Sequence, residues 1–261
     1  MAARLHFDAG KTTIPSDNIT GTGTINQVAK FTGTHTIGNG LITDNGTSVW
    51  NTGAGSIISN TAFGNNALID NTTGTRNTAN GQNSLTNNTI GSSNASFGYQ
   101  NLQFNTTGTS NASFGDEALR SNTTGSNNVA VGREALKNNT ASNNVAIGYQ
   151  AAFTNTTGSN NVALGFTALI SNQTGVNNVA VGFRALRRNL SSYNTAVGYE
   201  ALEENTTGAN NVSVGYQALR DNTTGINNVA LGHSALLNNT ASNVTAVGYE
   251  ASLNNTTGAD L

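Results

Sequence analysis

The chain has 261 residues, 9% of them charged, 36% hydrophobic and 6% aromatic, with a formal net charge of -2, one proline and no cysteine. The charged share is about a third of the usual one and holds no block of like charge, which argues against a nucleic-acid or anionic-membrane partner. Lack of cysteine removes disulfides and thiolate metal ligands, and no apolar run reaches the length of a membrane-spanning helix, so no membrane insertion is expected.

In chain order, residues 1–20 open with MAARLHFDAGKTTIP. They read as an N-terminal arm packed on the protein or on another subunit, and they lack the apolar core of a signal peptide. Residues 21–58, with GTGTINQVAKFTGTHTIGNGLITDNGTSVWNTG from Gly21, predict a small β-rich connector. From 59 to 261 one word recurs, as NNVAVGREALKNNT from Asn127, NNVAIGYQAAFTNTTG from Asn143 and NNVALGFTALISNQTG from Asn160.

The glycine closing that word falls at Gly64, Gly81, Gly98, Gly115, Gly132, Gly148, Gly165, Gly182, Gly198, Gly215, Gly232 and Gly248. The spacing is 16 or 17 residues, and the short units start at Gly132, Gly182 and Gly232, which are 50 residues apart. A typical short turn reads NNTASNN where a long one reads NTTGSNN. Such a period predicts stacked coils.

The units serve as their own alignment. One residue before the glycine is large and apolar (Phe97, Ile147, Leu164, Val181), except at Asn80. Two before, every unit has Ala or Ser; three before, Val or Thr is usual. Alternation on a strand puts the large residues on one face and Ala/Ser with Gly on the other. The expectation is that the large face fills a small core and that the stripped Ala/Gly column is covered by a neighbouring chain.

Ala-Leu follows three and four residues after the glycine in many units, as at Ala168-Leu169. Seven after it stands Asn in all twelve: Asn71, Asn88, Asn105, Asn122, Asn139, Asn155, Asn172, Asn189, Asn205, Asn222, Asn239 and Asn255. Asn suits left-handed turns and, stacked on itself, forms an amide ladder. Helical pieces such as REALKNN are too short to stand alone. The fold class predicted is therefore all-β, a β-solenoid (β-roll) of twelve 16–17-residue coils forming a rod about 58 Å long. The thin core of each coil further predicts a homo-oligomer, for which a parallel homotrimer is the expected form although composition alone does not fix the number three.

The words NNVAVG, NNVAIG and NNVALG, followed by Ala-Leu and an Asn/Thr/Gly turn, resemble the head repeats of trimeric autotransporter adhesins (the YadA-like head) and related repeats of bacteriophage tail fibres, over residues 61–261. That resemblance implies trimeric, left-handed β-rolls that bind host matrix or serve as stalk. Adhesin head repeats are shorter than 16–17 residues, and no signal peptide, coiled-coil stalk or membrane barrel accompanies these. The expectation is a structural fibre protein, the rigid shaft of a phage tail fibre or surface appendage, located on a virion or cell surface. The alternatives are an adhesin head recognising a host glycan or matrix protein, and a subunit of an end-to-end filament.

No catalytic, cofactor or metal site is expected. His6, His35 and His233 are far apart, with no motif around them. Glu117 and Glu134 stack two residues after their glycines, as a glycosidase pair would, but Asp116 and Arg133 beside them favour solvated charge. Arg184, Arg187 and Arg188 suggest an anion site. The register Arg187, Glu203, Arg220, with Arg188 below Glu204, favours an inter-coil charge ladder.

The residue after the glycine is Tyr99, Tyr149, Phe166, Phe183, Tyr199, Tyr216 or Tyr249 in seven units, a candidate ligand-facing aromatic column. Mutual packing of those rings along the rod is the favoured reading. The N-x-T triplets read as turns rather than glycosylation sites, and the turn Thr column is set aside as an ice-binding array because it lies off any flat strand.

Overall fold

The computed structural model describes residues 59–256 in full and, before them, the backbone of five strands. The chain divides into two compact units, residues 1–52 and 53–261. In the first, β1 (Leu5–His6) pairs antiparallel with β2 (Thr13–Ile14). There, too, β3 (Gln27–Thr32), β4 (Thr36–Asp44) and β5 (Val49–Asn51) form an antiparallel meander, its register shifted between Gln27 and Ala29. The expected packing of the arm and the side chains of the connector, including His6 and His35, lie outside the described residues.

The second unit is an all-β parallel β-solenoid, with no helix among its described residues. Twelve strands of 3 residues, from β6 (Thr61–Phe63) to β17 (Thr245–Val247), form one 12-stranded sheet in sequence order. Equivalent positions pair throughout, as in Val129 with Val145, Ala130 with Ala146 and Val131 with Ile147. The segment expected to compete as a helix is a run of turns. Each coil carries residues of positive φ, as at Thr167 (φ 50), Leu169 (φ 54) and Asn177 (φ 56) in one of them.

The structure inverts the expected faces. The central Ala or Ser of every strand points inward, with Ala130, Ala163 and Ala196 fully buried, while the flanking large residues are half-buried or exposed, as at Ile147 and Val214. A 3-residue strand between tight turns leaves room only for a methyl or hydroxymethyl group at its centre. Where the residue is Ser, its hydroxyl is used inside the coil: Ser96 Oγ donates to the Asn101 carbonyl at 3.0 Å and Ser213 Oγ to the Ala218 carbonyl at 2.6 Å.

The bulk of the core comes from the turn instead. Leu68, Leu85, Leu102, Leu119, Leu136, Leu169, Leu186, Leu202, Leu219 and Leu236 are all fully buried. A left-handed leucine costs about 1–2 kcal/mol, and burying its side chain offsets that with about 1.5–3 kcal/mol.

The column stripped of side chains is approached closely, but by the next coil of the same chain. Gly165 has φ +141, and a Cβ there would lie 2.2 Å from the Gly182 carbonyl oxygen. Only glycine satisfies both the backbone angle and the coil spacing.

Candidate functional site

Two amide ladders run inside the rod. In the expected one, Asn155 Nδ2 donates to Asn139 Oδ1 at 2.6 Å and to the Gly158 carbonyl at 2.8 Å, and Asn172 Nδ2 donates to Asn155 Oδ1 at 2.9 Å. Each amide thus closes its own turn and ties to the preceding coil. The twelve asparagines of this column are in register, and eleven of them are described as buried.

The second ladder was missed. It uses the residue just before each strand, which is Asn in eleven units and Val244 in the last. Asn161 is typical: its backbone N–H donates to Asn144 Oδ1 at 2.9 Å and its Nδ2 to the Gly175 carbonyl at 2.9 Å. The first Asn of NNV takes the left-handed turn while the second is buried, which is why the doublet recurs.

Outside, Tyr149, Phe166, Phe183, Tyr199, Tyr216, His233 and Tyr249 form an unbroken stack with centroids 4.9–5.4 Å apart. Tyr99 stands apart, because the next two coils place Asp116 and Arg133 in the column, 3.8 Å from each other. The rings are exposed at their edges, while the faces of the inner ones are taken up by their neighbours. Stacking and exposure therefore coexist, and a ligand would meet edges and hydroxyls rather than open faces. The hydroxyls of Tyr199 and Tyr249 have pKa values above the ordinary 10.0, chiefly through hydrogen bonds to the carboxylates of Glu200 and Glu250. Arg184 adds a guanidinium 4.8 Å from the Phe183 centroid.

The acidic pair is bridged. Lys137 Nζ lies 2.9 Å from Glu134 Oε1 and also contacts Glu117, and Gln150 Nε2 donates to Glu134 Oε2 at 2.8 Å. The hydrogen bond from Gln150, then that from Lys137, holds the Glu134 carboxyl below its ordinary value. That is the chemistry of an ion-pair bridge; a general acid needs the opposite shift.

The arginine cluster is paired with the coil above. Arg184 meets Glu200 at 3.7 Å, Arg187 meets Glu203 at 3.8 Å and Arg188 meets Glu204 at 2.9 Å. Arg220 breaks the expected register: it turns to Asp221, with Nε to Oδ1 at 2.8 Å. Burial, the largest influence, raises the pKa of Glu203.

Among the described residues, no three His, Cys, Asp or Glu side chains are grouped to hold a metal ion, and no helix is long and apolar enough to cross a membrane. Comparison with family models, with curated proteins and with solved structures finds no match.

Proposed function

We propose that this chain is a structural fibre protein, the rigid shaft of a phage tail fibre or surface appendage, assembled as a parallel homotrimer. The observation that carries the reading is the continuity of the solenoid: twelve strands in one register, tied by two internal amide ladders. The resemblance of its repeat words to trimeric adhesin heads and tail fibres supports the same conclusion.

The trimer is carried by a different column from the one expected at sequence level. The Ala/Ser column is already inside the coil, so the surface left for a partner is the outward face of the sheet. Phe63, Phe114, Ile147, Val214, Leu231 and Val247 are exposed along it. Parallel sheets are ordinarily covered on both faces, and an apolar stripe of this length, interrupted at Asn80, marks an association surface. Identical chains, side by side and in register, cover it along its whole length.

Light scattering after size exclusion tests this, with a mass of about three times 26.7 kDa expected. A monomer would overturn the trimer, and a much larger species would favour the end-to-end filament. The second reading, an adhesin head for a host glycan or matrix protein, is favoured by the exposed ring edges of the aromatic column. A glycan array with the trimer and with a Tyr149→Ala/Phe166→Ala/Tyr199→Ala variant distinguishes the two: binding lost in the variant supports the adhesin, and no binding in either supports the shaft.

A further inference from the structure

We infer that the compliance of this rod is concentrated at three joints, the junctions that lead into the short coils, and that all three open on the same corner. At five of the eleven junctions, two or three amides of the turn after the ladder asparagine converge on one carbonyl of the next coil, and at the three junctions that leave a short coil a single amide, that of Thr140, Leu190 or Thr240, donates to such a carbonyl. Thr72, Thr73 and Gly74 N–H all donate to the Thr89 carbonyl, at 2.8, 3.1 and 3.4 Å, and Thr72 Oγ1 joins them at 2.8 Å. Thr156, Thr157 and Gly158 do the same to the Gln173 carbonyl.

Each short coil has lost one residue from this corner, and with it that acceptor. The equivalent amides of Thr123 and Thr124, Gln173 and Thr174, and Thr223 and Thr224 donate to no protein carbonyl, and the hydroxyls of Thr123 and Thr223 make no bond onward.

The asparagine ladder is longest or broken at the same places, although one ordinary junction, Asn222 to Asn205 at 3.4 Å, is nearly as long. Asn139 reaches Asn122 only at 3.5 Å and Asn239 reaches Asn222 only at 3.5 Å. Asn189 does not reach Asn172 at all, and its Nδ2 turns to the Ser191 carbonyl at 2.7 Å. Asn172 Oδ1 is left buried and without a partner. On leaving the first two short coils the ladder tightens to 2.6 Å, from Asn155 to Asn139 and from Asn205 to Asn189; on leaving the third, Asn255 reaches Asn239 at 3.1 Å.

The amide and ladder cross-links therefore weaken together at three sites 50 residues apart, and at two of them the threonine hydroxyl bond is missing as well. Because the strand side of each joint keeps its bonds, as in Val129 N–H to the Asn144 carbonyl at 2.9 Å, opening hinges the coils there and tilts every joint the same way. This follows from the coil chemistry alone and holds whether or not the rod is a fibre shaft.

Hydrogen exchange at single-amide resolution on the full chain tests it with matched pairs one position before the ladder asparagine. The amides of Ser121, Ser171 and Asp221 bond across the joints, at 2.9, 3.2 and 3.0 Å. Those of Phe104, Thr154 and Glu204 bond across intact junctions, at 3.0, 3.1 and 2.9 Å. Static geometry predicts equal protection. The joints predict protection factors about tenfold lower for the first three, as expected for a junction lacking one or two net hydrogen bonds. Inserting one glycine after Ala141 restores the long turn and brings Ser121 level with Phe104, leaving Ser171 and Asp221 fast. Equal protection in the wild-type chain overturns the inference without any variant. So does a Ser121 amide that stays fast in a folded insertion variant.

Discussion

Replacing Asn155 by alanine isolates the contribution of one rung of the ladder. The side chain makes three hydrogen bonds: to Asn139 Oδ1, to the Gly158 carbonyl and from Asn172 Nδ2. Each partner keeps another contact after truncation. Asn144 Nδ2 still reaches Asn139 Oδ1 at 3.2 Å and the Gly158 carbonyl at 2.9 Å, and Asn172 Nδ2 still reaches the Gly175 carbonyl at 3.0 Å. No group is orphaned, so the cost is three net bonds, about 3 kcal/mol at roughly 1 kcal/mol each.

Asn172→Ala is the internal comparison. Its Oδ1 already lacks a partner, so only two bonds are lost, and one orphaned oxygen replaces another when Asn155 Oδ1 loses its donor. The expected cost is about 2 kcal/mol. Urea unfolding followed by far-UV circular dichroism measures both, and an unchanged slope shows that the cooperative unit is the same. A cost for Asn155→Ala below about 1 kcal/mol, or one no greater than that of Asn172→Ala, would refute the ladder as a source of stability.

The glycine column gives a second comparison. Gly165→Ala meets both a positive φ and the Gly182 oxygen, whereas Gly248→Ala in the last coil meets only the backbone angle, its nearest neighbour being Ala251 Cβ at 3.9 Å. Gly248→Ala is expected to cost about 1–3 kcal/mol and Gly165→Ala clearly more, read as a difference in unfolding midpoint. Leu169→Ala empties a fully buried site and is expected to cost about 2–5 kcal/mol, while Phe166→Ala removes a half-exposed ring from the stack and costs about 0.5–1.5 kcal/mol. The reverse order in thermal melts would contradict the assignment of inside and outside.

Acid supplies a fourth test. The pKa of Glu134 is depressed from its ordinary 4.5, so its stabilising contribution is present above that pH and is lost as pH falls through the lower folded value. Glu134→Gln is expected to flatten this acid limb of stability against pH, measured by denaturant midpoints.

The period, the lack of helix among the described residues and the asparagine seven places after each glycine were legible in the sequence because a repeating chain compares its own positions. Which face is inside was not, since alternation assigns faces without saying which is enclosed. The size restriction held the answer. A position that accepts only Ala or Ser in twelve units is crowded, and one that tolerates Phe97, Ile147 and even Asn80 is open. Reading large as buried works for broad sheets and fails for a coil whose strands are 3 residues long. The second ladder was visible as the asparagine just before each strand, with Val244 as the lone departure. The aromatic column was located by register, and its stacking follows from placing planar rings one coil apart. The weakened corners were foreshadowed by the missing residue of the short turns, but their chemistry emerges only once the acceptor of each amide is known.

Every coil finds its partners 16 or 17 residues away, never at the far end of the chain. The loop closed at each step is the same length, so its entropic cost does not grow as the rod lengthens. Only the first coil lacks a preceding edge to pair with, and each later one stacks on the coil before it. Growth of this kind separates reach from stability: duplicating another 50-residue block, of the kind that separates Gly132 from Gly182, lengthens the rod without altering the chemistry of any rung.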